Sequence, residues 1–320
     1  MKLLILNLLI LNTCFAITFK IAALAPKGTN WAKTIDGFAK EIEEKSEGKI
    51  KFKVYFGGTA GDEPDVLRKI RIGQLHGGVF TGKTLGDIAK NVRVIETPFT
   101  FFDKRENASK ALKGLAPYFD KELAKNQFES LGYYEVGQVY LVSNKKVTNI
   151  EELKGIKVWS WEGDEVINAM IESLELVSVP LALPDVLQSL STGIINAAYA
   201  PPLGIIGLQW QTQIKYLVNF PTAFTIGAFL LSQKSWKKLS AEQKALVKSC
   251  ADKYIQEANK LAKTDNEQGL QVLQSMGVEF IDFEKKDLAE ASKIRSKVVE
   301  KLKGEISSEA FSKLEPYRTK

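Results

Sequence analysis

The sequence predicts an α/β protein of two domains, and three observations carry that expectation. At 320 residues the chain exceeds the usual size of a single domain and is long enough to bury two cores. Its first third alternates strand-like and helix-like periodicities, and the alternation restarts beyond Tyr133. Near the C-terminus an amphipathic stretch runs for about 35 residues, or about 50 Å as a helix, which is longer than one small domain requires.

The first element is a strand at 18–24. A helix follows at 30–45, with Trp31, Ile35, Phe38, Ala39 and Ile42 recurring at intervals of three and four, and Ser46 to Gly48 stops it. Strict alternation marks a second strand at 50–56. A glycine-rich turn occupies 57–61, a helix 62–72 and a third strand 75–81. A run of this kind implies a mostly parallel sheet with helices on both faces. In the second half, 140–143, 156–160 and 197–200 read as strands, with helices at 164–173 and 184–191. The long helix begins at a capping box, Ser240-Ala241-Glu242-Gln243. Its apolar stripe passes through Val247, Cys250, Tyr254, Ala258, Leu261, Leu270 and Leu273 to Gly277, so it spans 240–276 and is expected to cross both domains. A last amphipathic helix at 287–303 should pack on the second domain. No Pro- or Ser-rich linker separates the halves, so the chain is expected to cross between them on strands.

Residues 1–16 read as a secretory leader. Met1-Lys2 gives a positive start, an apolar run follows from Leu3 to Leu11, and Ala16 is a small residue before Ile17. A rival reading makes Cys14 a lipid-modified first residue. Cleavage after Ala16 leaves Cys250 alone, so no internal disulfide can form, and the place of Cys250 on the apolar stripe makes it a core residue. Removal of Lys2 leaves 43 basic against 38 acidic residues, a net charge of about +5. The charges are interspersed, and no basic run interleaves with aromatics as a nucleic-acid groove would need. The lone histidine, His76, excludes multi-histidine metal sites, and no metal or cofactor is expected. Asp62-Glu63 could pair as acid and base, but adjacent acids at a helix start more commonly cap it. The glycines at 57–61 lack the Gly-Lys-Ser/Thr ending of a P-loop.

Several segments, in order, resemble the solute-binding proteins of TRAP (tripartite ATP-independent periplasmic) transporters. They are Phe56-Gly57-Gly58-Thr59-Ala60-Gly61-Asp62-Glu63, Ile72-Gly73-Gln74-Leu75, Thr97-Pro98-Phe99-Thr100-Phe101-Phe102, Tyr133-Tyr134-Glu135-Val136-Gly137, Leu153-Lys154-Gly155-Ile156-Lys157-Val158-Trp159, Leu187-Gln188-Ser189-Leu190-Ser191-Thr192-Gly193 and Leu231-Ser232-Gln233-Lys234-Ser235-Trp236. The resemblance implies a two-domain periplasmic binding protein with hinge strands, a cleft that closes on one solute, and a membrane permease as partner. It implies no catalysis, and it divides the mature chain into 17–138 with 225–260 and 139–224 with 261–320. The protein is expected to be monomeric and periplasmic. A sensor or carrier of hydrophobic molecules working without a permease, and a periplasmic enzyme, are the alternatives.

The departures from the family pattern concern the ligand. Trp159 stands where the family has an arginine that grips a substrate carboxylate, and Val139 stands where a second arginine is common. Asn196-Ala197-Ala198-Tyr199-Ala200-Pro201 replaces a polar sequence. An indole offers an apolar face and one N–H, whereas a guanidinium matches a carboxylate two bonds at a time. The site is therefore expected to be an apolar pocket made of Trp159, Tyr199, Phe80, Phe99, Tyr140, Phe224 and Pro201, with Trp159 and Tyr199 facing each other across the cleft. Its ligand is expected to be apolar or aromatic rather than a small dicarboxylate.

Overall fold

Alternating apolar residues produce, among the described residues, ten strands arranged in two halves, covered by well-capped amphipathic helices. The computed structural model describes residues 16–102 and 104–319. The expected leader, with Cys14, lies outside the described residues up to Phe15. The strands are β1 (Ile17–Ala23), β2 (Ile50–Phe56), β3 (Gly77–Thr81), β4 (Phe128–Ser143), β5 (Lys157–Ser160), β6 (Val177–Pro180), β7 (Ala197–Ala200), β8 (Tyr216–Val218), β9 (Ala223–Ser232) and β10 (Glu279–Ile281). Their order is β2-β1-β3-β9-β4-β7-β5-β6, with β8 pairing β4 and β10. β1 is parallel to β2 and β3, and β5 is parallel to β6 and β7, as helical crossovers require. β9 and β4 run antiparallel to their neighbours and join the halves.

β4 is the main connection. It pairs with β9 as far as Val139 and with β7 from Tyr140 onward, so one strand serves both halves. The expected strand at 140–143 is only its end. Two register shifts, at Ser130/Gly132 and Glu135/Gly137, bend it. Gly132 and Gly137 have φ of +142° and +140°, and a Cβ on either would lie 2.5 Å from Ile255 Cδ1 or 2.7 Å from Asn266 Nδ2. Glycine is required at both because the long helix passes directly over the bends.

That helix, Ala241–Ser275, starts at the capping box: Ser240 Oγ accepts from Gln243 N and Gln243 Oε1 accepts from Ser240 N. It lies against the helix Asn30–Lys45, β4 and the helix Pro202–Gly207. Asn266 ties it to both halves, donating to Val136 O at 2.8 Å and accepting from Leu203 N at 3.0 Å. Cys250 is buried on it as expected, with burial pushing the thiol pKa up. The last amphipathic helix, Lys285–Leu302, buries Ala291, Ile294, Val298 and Leu302 and packs on the helix Glu165–Ser173 of the second half.

Candidate functional site

A cavity of about 170 Å³ opens where the two halves meet. The first half supplies Leu24, Pro26, Trp31, Thr81, Arg93 and Glu96 to its wall. The second supplies Trp159, Trp161, Asp164, Tyr199, Pro201 and Trp210.

Four aromatic rings form the wall on the second side. Trp159, on β5, stacks on Tyr199 of the neighbouring β7 with centroids 4.9 Å apart and planes at 22°. Trp161 and Trp210 meet the Trp159 ring edge-on at 5.0 and 5.5 Å. Trp159 is 2% exposed and its Nε1 donates to Leu181 O at 3.0 Å. Trp159 and Tyr199 therefore do not face each other across the cleft. They lie on adjacent strands of one sheet and pack as a single wall.

Of the seven residues expected at the site, Trp159, Tyr199 and Pro201 line the cavity. Phe80, Phe99, Tyr140 and Phe224 lie in the surrounding core instead. Three of these are one position out of phase. Thr81 lines the cavity beside Phe80, Val139 beside Tyr140, and Ala223 and Thr225 on either side of Phe224. Successive side chains on a strand point to opposite faces, so each large ring takes the face away from the cavity. Phe224 meets Phe101 edge-on, and Phe99 stacks on Phe220.

The site also contains a charged group that sequence reasoning missed. Arg93 Nη2 donates to Asp164 Oδ1 at 2.7 Å, and Arg93 Nε lies 3.2 Å from Glu96 Oε2. Glu96 Oε1 accepts from Thr225 Oγ1 at 2.5 Å and from Ile226 N at 2.8 Å. Gly82 makes room for that carboxyl, since a Cβ there would lie 2.1 Å from Glu96 Oε1. Burial disfavours the Arg93 charge, but Asp164 and Glu96 outweigh it and hold the guanidinium pKa above its ordinary value. Burial, partly offset by Arg93, raises the pKa of Glu96. Lys83, the other cation on the wall, is bound to Asp87 at 2.7 Å. Lys83, Arg93 and Asp164 also line a polar surface groove of about 750 Å³. The Arg93–Asp164 pair thus forms the partition between this groove and the cavity.

Asp62 and Glu63 do not form a pair in a cleft. Asp62 accepts from Glu63 N at the helix start, while Glu63 turns inward and accepts from Thr81 N and Thr81 Oγ1, each at 2.9 Å. His76 is structural: its Nδ1 accepts from Lys20 N at 2.8 Å.

Residues 21–305 match the family described as bacterial extracellular solute-binding protein, family 7. The chain belongs to this family. A family 7 relative from Chromohalobacter salexigens, a solute-binding protein, is 24% identical over 81% of this chain and 77% of its own length. The C4-dicarboxylate-binding periplasmic protein DctP of Rhodobacter capsulatus is 21% identical over 91% of this chain and 87% of its own. Among solved structures, a TRAP periplasmic solute-binding protein from Sulfitobacter, with β-D-galacturonate bound, superposes with a TM-score of 0.85. It is 23% identical, with 94% of this chain and 99% of that one covered. This family 7 chain thus shares the two-domain fold of the TRAP periplasmic solute-binding proteins.

Proposed function

We propose that this protein is an extracytoplasmic receptor that captures one small, uncharged and largely apolar molecule between its two halves and hands it to a membrane permease. The observation that carries the ligand reading is the state of Arg93. Among the described residues it is the one arginine on the cavity wall, and it is already ion-paired with Asp164 and Glu96, although its Nε makes no hydrogen bond. A ligand carboxylate would have to displace one of these partners or share the guanidinium with two like charges. Removing an ion from water without a free partner costs several kcal/mol. The rest of the wall offers indole, phenol and aliphatic faces, which reward apolar area and, for the rings, stacking. A cavity of about 170 Å³ suits a molecule of single-ring size, given that a dry cavity of about 150 Å³ accepts benzene.

Capture is proposed to work by closure, with 17–138 and 225–260 moving against 139–224 and 261–320. The change of partner along β4 between Val139 and Tyr140 supports a hinge there. Each half supplies part of the wall, so only the closed form makes every contact at once.

Thermal unfolding in the presence of candidate solutes tests the reading. A ligand at 100 times its dissociation constant adds about 2.7 kcal/mol. C4-dicarboxylates and galacturonate, the acids named for the Rhodobacter and Sulfitobacter relatives, are expected to give no stabilisation. Micromolar binding of either would overturn the uncharged-ligand reading and restore an acid.

A further inference from the structure

We infer that the ligand carries a hydrogen-bond-accepting but uncharged oxygen, of the ketone or amide type, and that Trp161 Nε1 and the Tyr199 hydroxyl hold it. The inference rests on the uncharged-ligand reading above and adds to it where the polar end of the molecule lies.

Most polar groups named on the cavity wall are already satisfied. Trp159 Nε1 donates to Leu181 O, Thr225 Oγ1 to Glu96, Thr81 Oγ1 to Glu63 and Thr29 Oγ1 to Pro26 O. Trp161 Nε1 and the Tyr199 hydroxyl are different. Both atoms are buried and neither donates a hydrogen bond among the described residues; the Trp161 backbone N–H approaches the Tyr199 oxygen, which leaves the phenol O–H itself to donate. A buried donor left unmade costs free energy, and native proteins leave few of them. A third buried donor on this wall, Arg93 Nε, also makes no hydrogen bond but has Glu96 Oε2 at 3.2 Å as its ion-pair partner; the indole and the phenol have none, which points to a partner that arrives from outside the chain.

Their surroundings define that partner. Both rings contact Trp159, at 5.0 and 4.9 Å between centroids, and the Trp161 backbone N–H approaches the Tyr199 hydroxyl, so the two residues are neighbours on the aromatic wall. An indole N–H only donates and a phenol hydroxyl donates readily, so the complement is an acceptor, and a carbonyl oxygen has two lone pairs for the two bonds. Asp164 and Glu96 line the same cavity, where their two carboxylates pair with the single positive charge of Arg93. An anionic oxygen placed there meets a net negative surrounding, whereas a neutral carbonyl does not.

The test uses two probes of nearly equal shape, acetophenone and ethylbenzene, which differ in the carbonyl alone, with benzoate as the charged counterpart. Binding is measured by calorimetry for the full mature chain and for Tyr199→Phe, which keeps the ring and removes the donor, and Trp161→Phe, which removes the donor and exchanges the indole for a smaller ring. The wild type should bind acetophenone at least tenfold more tightly than ethylbenzene. Each variant should lower acetophenone affinity three- to tenfold; Tyr199→Phe should leave ethylbenzene within twofold, which also shows that it is folded, and Trp161→Phe should weaken acetophenone by at least threefold more than ethylbenzene. Equal binding of acetophenone and ethylbenzene, or equal losses for both probes in the variants, would overturn the anchor and leave the apolar cavity standing. Binding of benzoate in preference to both, or no binding of either neutral probe at millimolar concentration, would overturn the uncharged-ligand reading together with the anchor.

Discussion

Replacing Asp164 should expose how the wall between groove and cavity is held. The Arg93 and Asp164 side chains are 7% and 4% exposed, and their 2.7 Å contact joins residues 71 positions apart. Removing one partner of a buried ion pair costs about 3–5 kcal/mol, because the other charge stays in a poorly polarisable environment. Arg93 keeps Glu96 at 3.2 Å, which puts the loss near the lower bound, about 3 kcal/mol. Asp164 also caps the helix Glu165–Ser173, its Oδ1 accepting from Ile167 N at 3.2 Å, and loss of such a cap costs about 1 kcal/mol. Asparagine caps a helix as well as aspartate but carries no charge. Asp164→Asn should therefore lose about 3 kcal/mol and Asp164→Ala about 4 kcal/mol, so that their difference isolates the cap. Urea unfolding measures both, with the midpoint shifting and the slope unchanged. A stability for Asp164→Asn within about 0.5 kcal/mol of wild type, the range of an ordinary surface substitution, would refute the claim that the pair is buried and mutually dependent.

Two further outcomes are expected. Burial pushes the Glu63 pKa up to about 7 against the hydrogen bonds from Thr81, so its contribution to stability is complete below about pH 4.5 and is lost as the pH rises to about 7. Glu63→Gln, which does not ionise, should gain on wild type by up to a few kcal/mol over that window; a difference that does not vary with pH would show that Glu63 ionises freely. Trp159→Ala should destabilise the protein by about 3–5 kcal/mol in thermal unfolding, because the ring is packed against Tyr199, Trp161 and Trp210. A loss below about 1 kcal/mol would mean that the aromatic wall is loose and that Trp159 is free to turn toward the ligand.

Much of the architecture is legible in the chain, because the interactions that set it are local. Three- and four-residue spacing places the helix Asn30–Lys45, strict alternation places β2, and Ser240 with Gln243 places the start of the long helix to the residue. Other elements escape the same reasoning, β9 among them, and two show why. The helix Arg105–Lys125 carries a proper apolar stripe through Ala108, Leu112, Leu115, Phe119 and Leu123, but Gly114 and Pro117 interrupt it. β4 is broken in appearance by Gly132 and Gly137, whose role emerges only with the long helix lying over them.

The site divides along the same line. Sequence by itself determined the family, a property of residue identity in order along the chain. It also determined that strand neighbours such as Phe80 and Thr81 take opposite faces. Which face belongs to the cavity was decided by the tertiary structure alone, because β3, the cavity end of β4 and β9 are covered on both sides. Large side chains there are apolar whichever way they point, so hydrophobicity carries no phase. The union of Arg93, Glu96 and Asp164 was likewise a tertiary decision. An ion pair leaves no local pattern, and this one exists because the Lys90–Glu96 turn of one half and a helix start of the other are folded to within 2.7 Å.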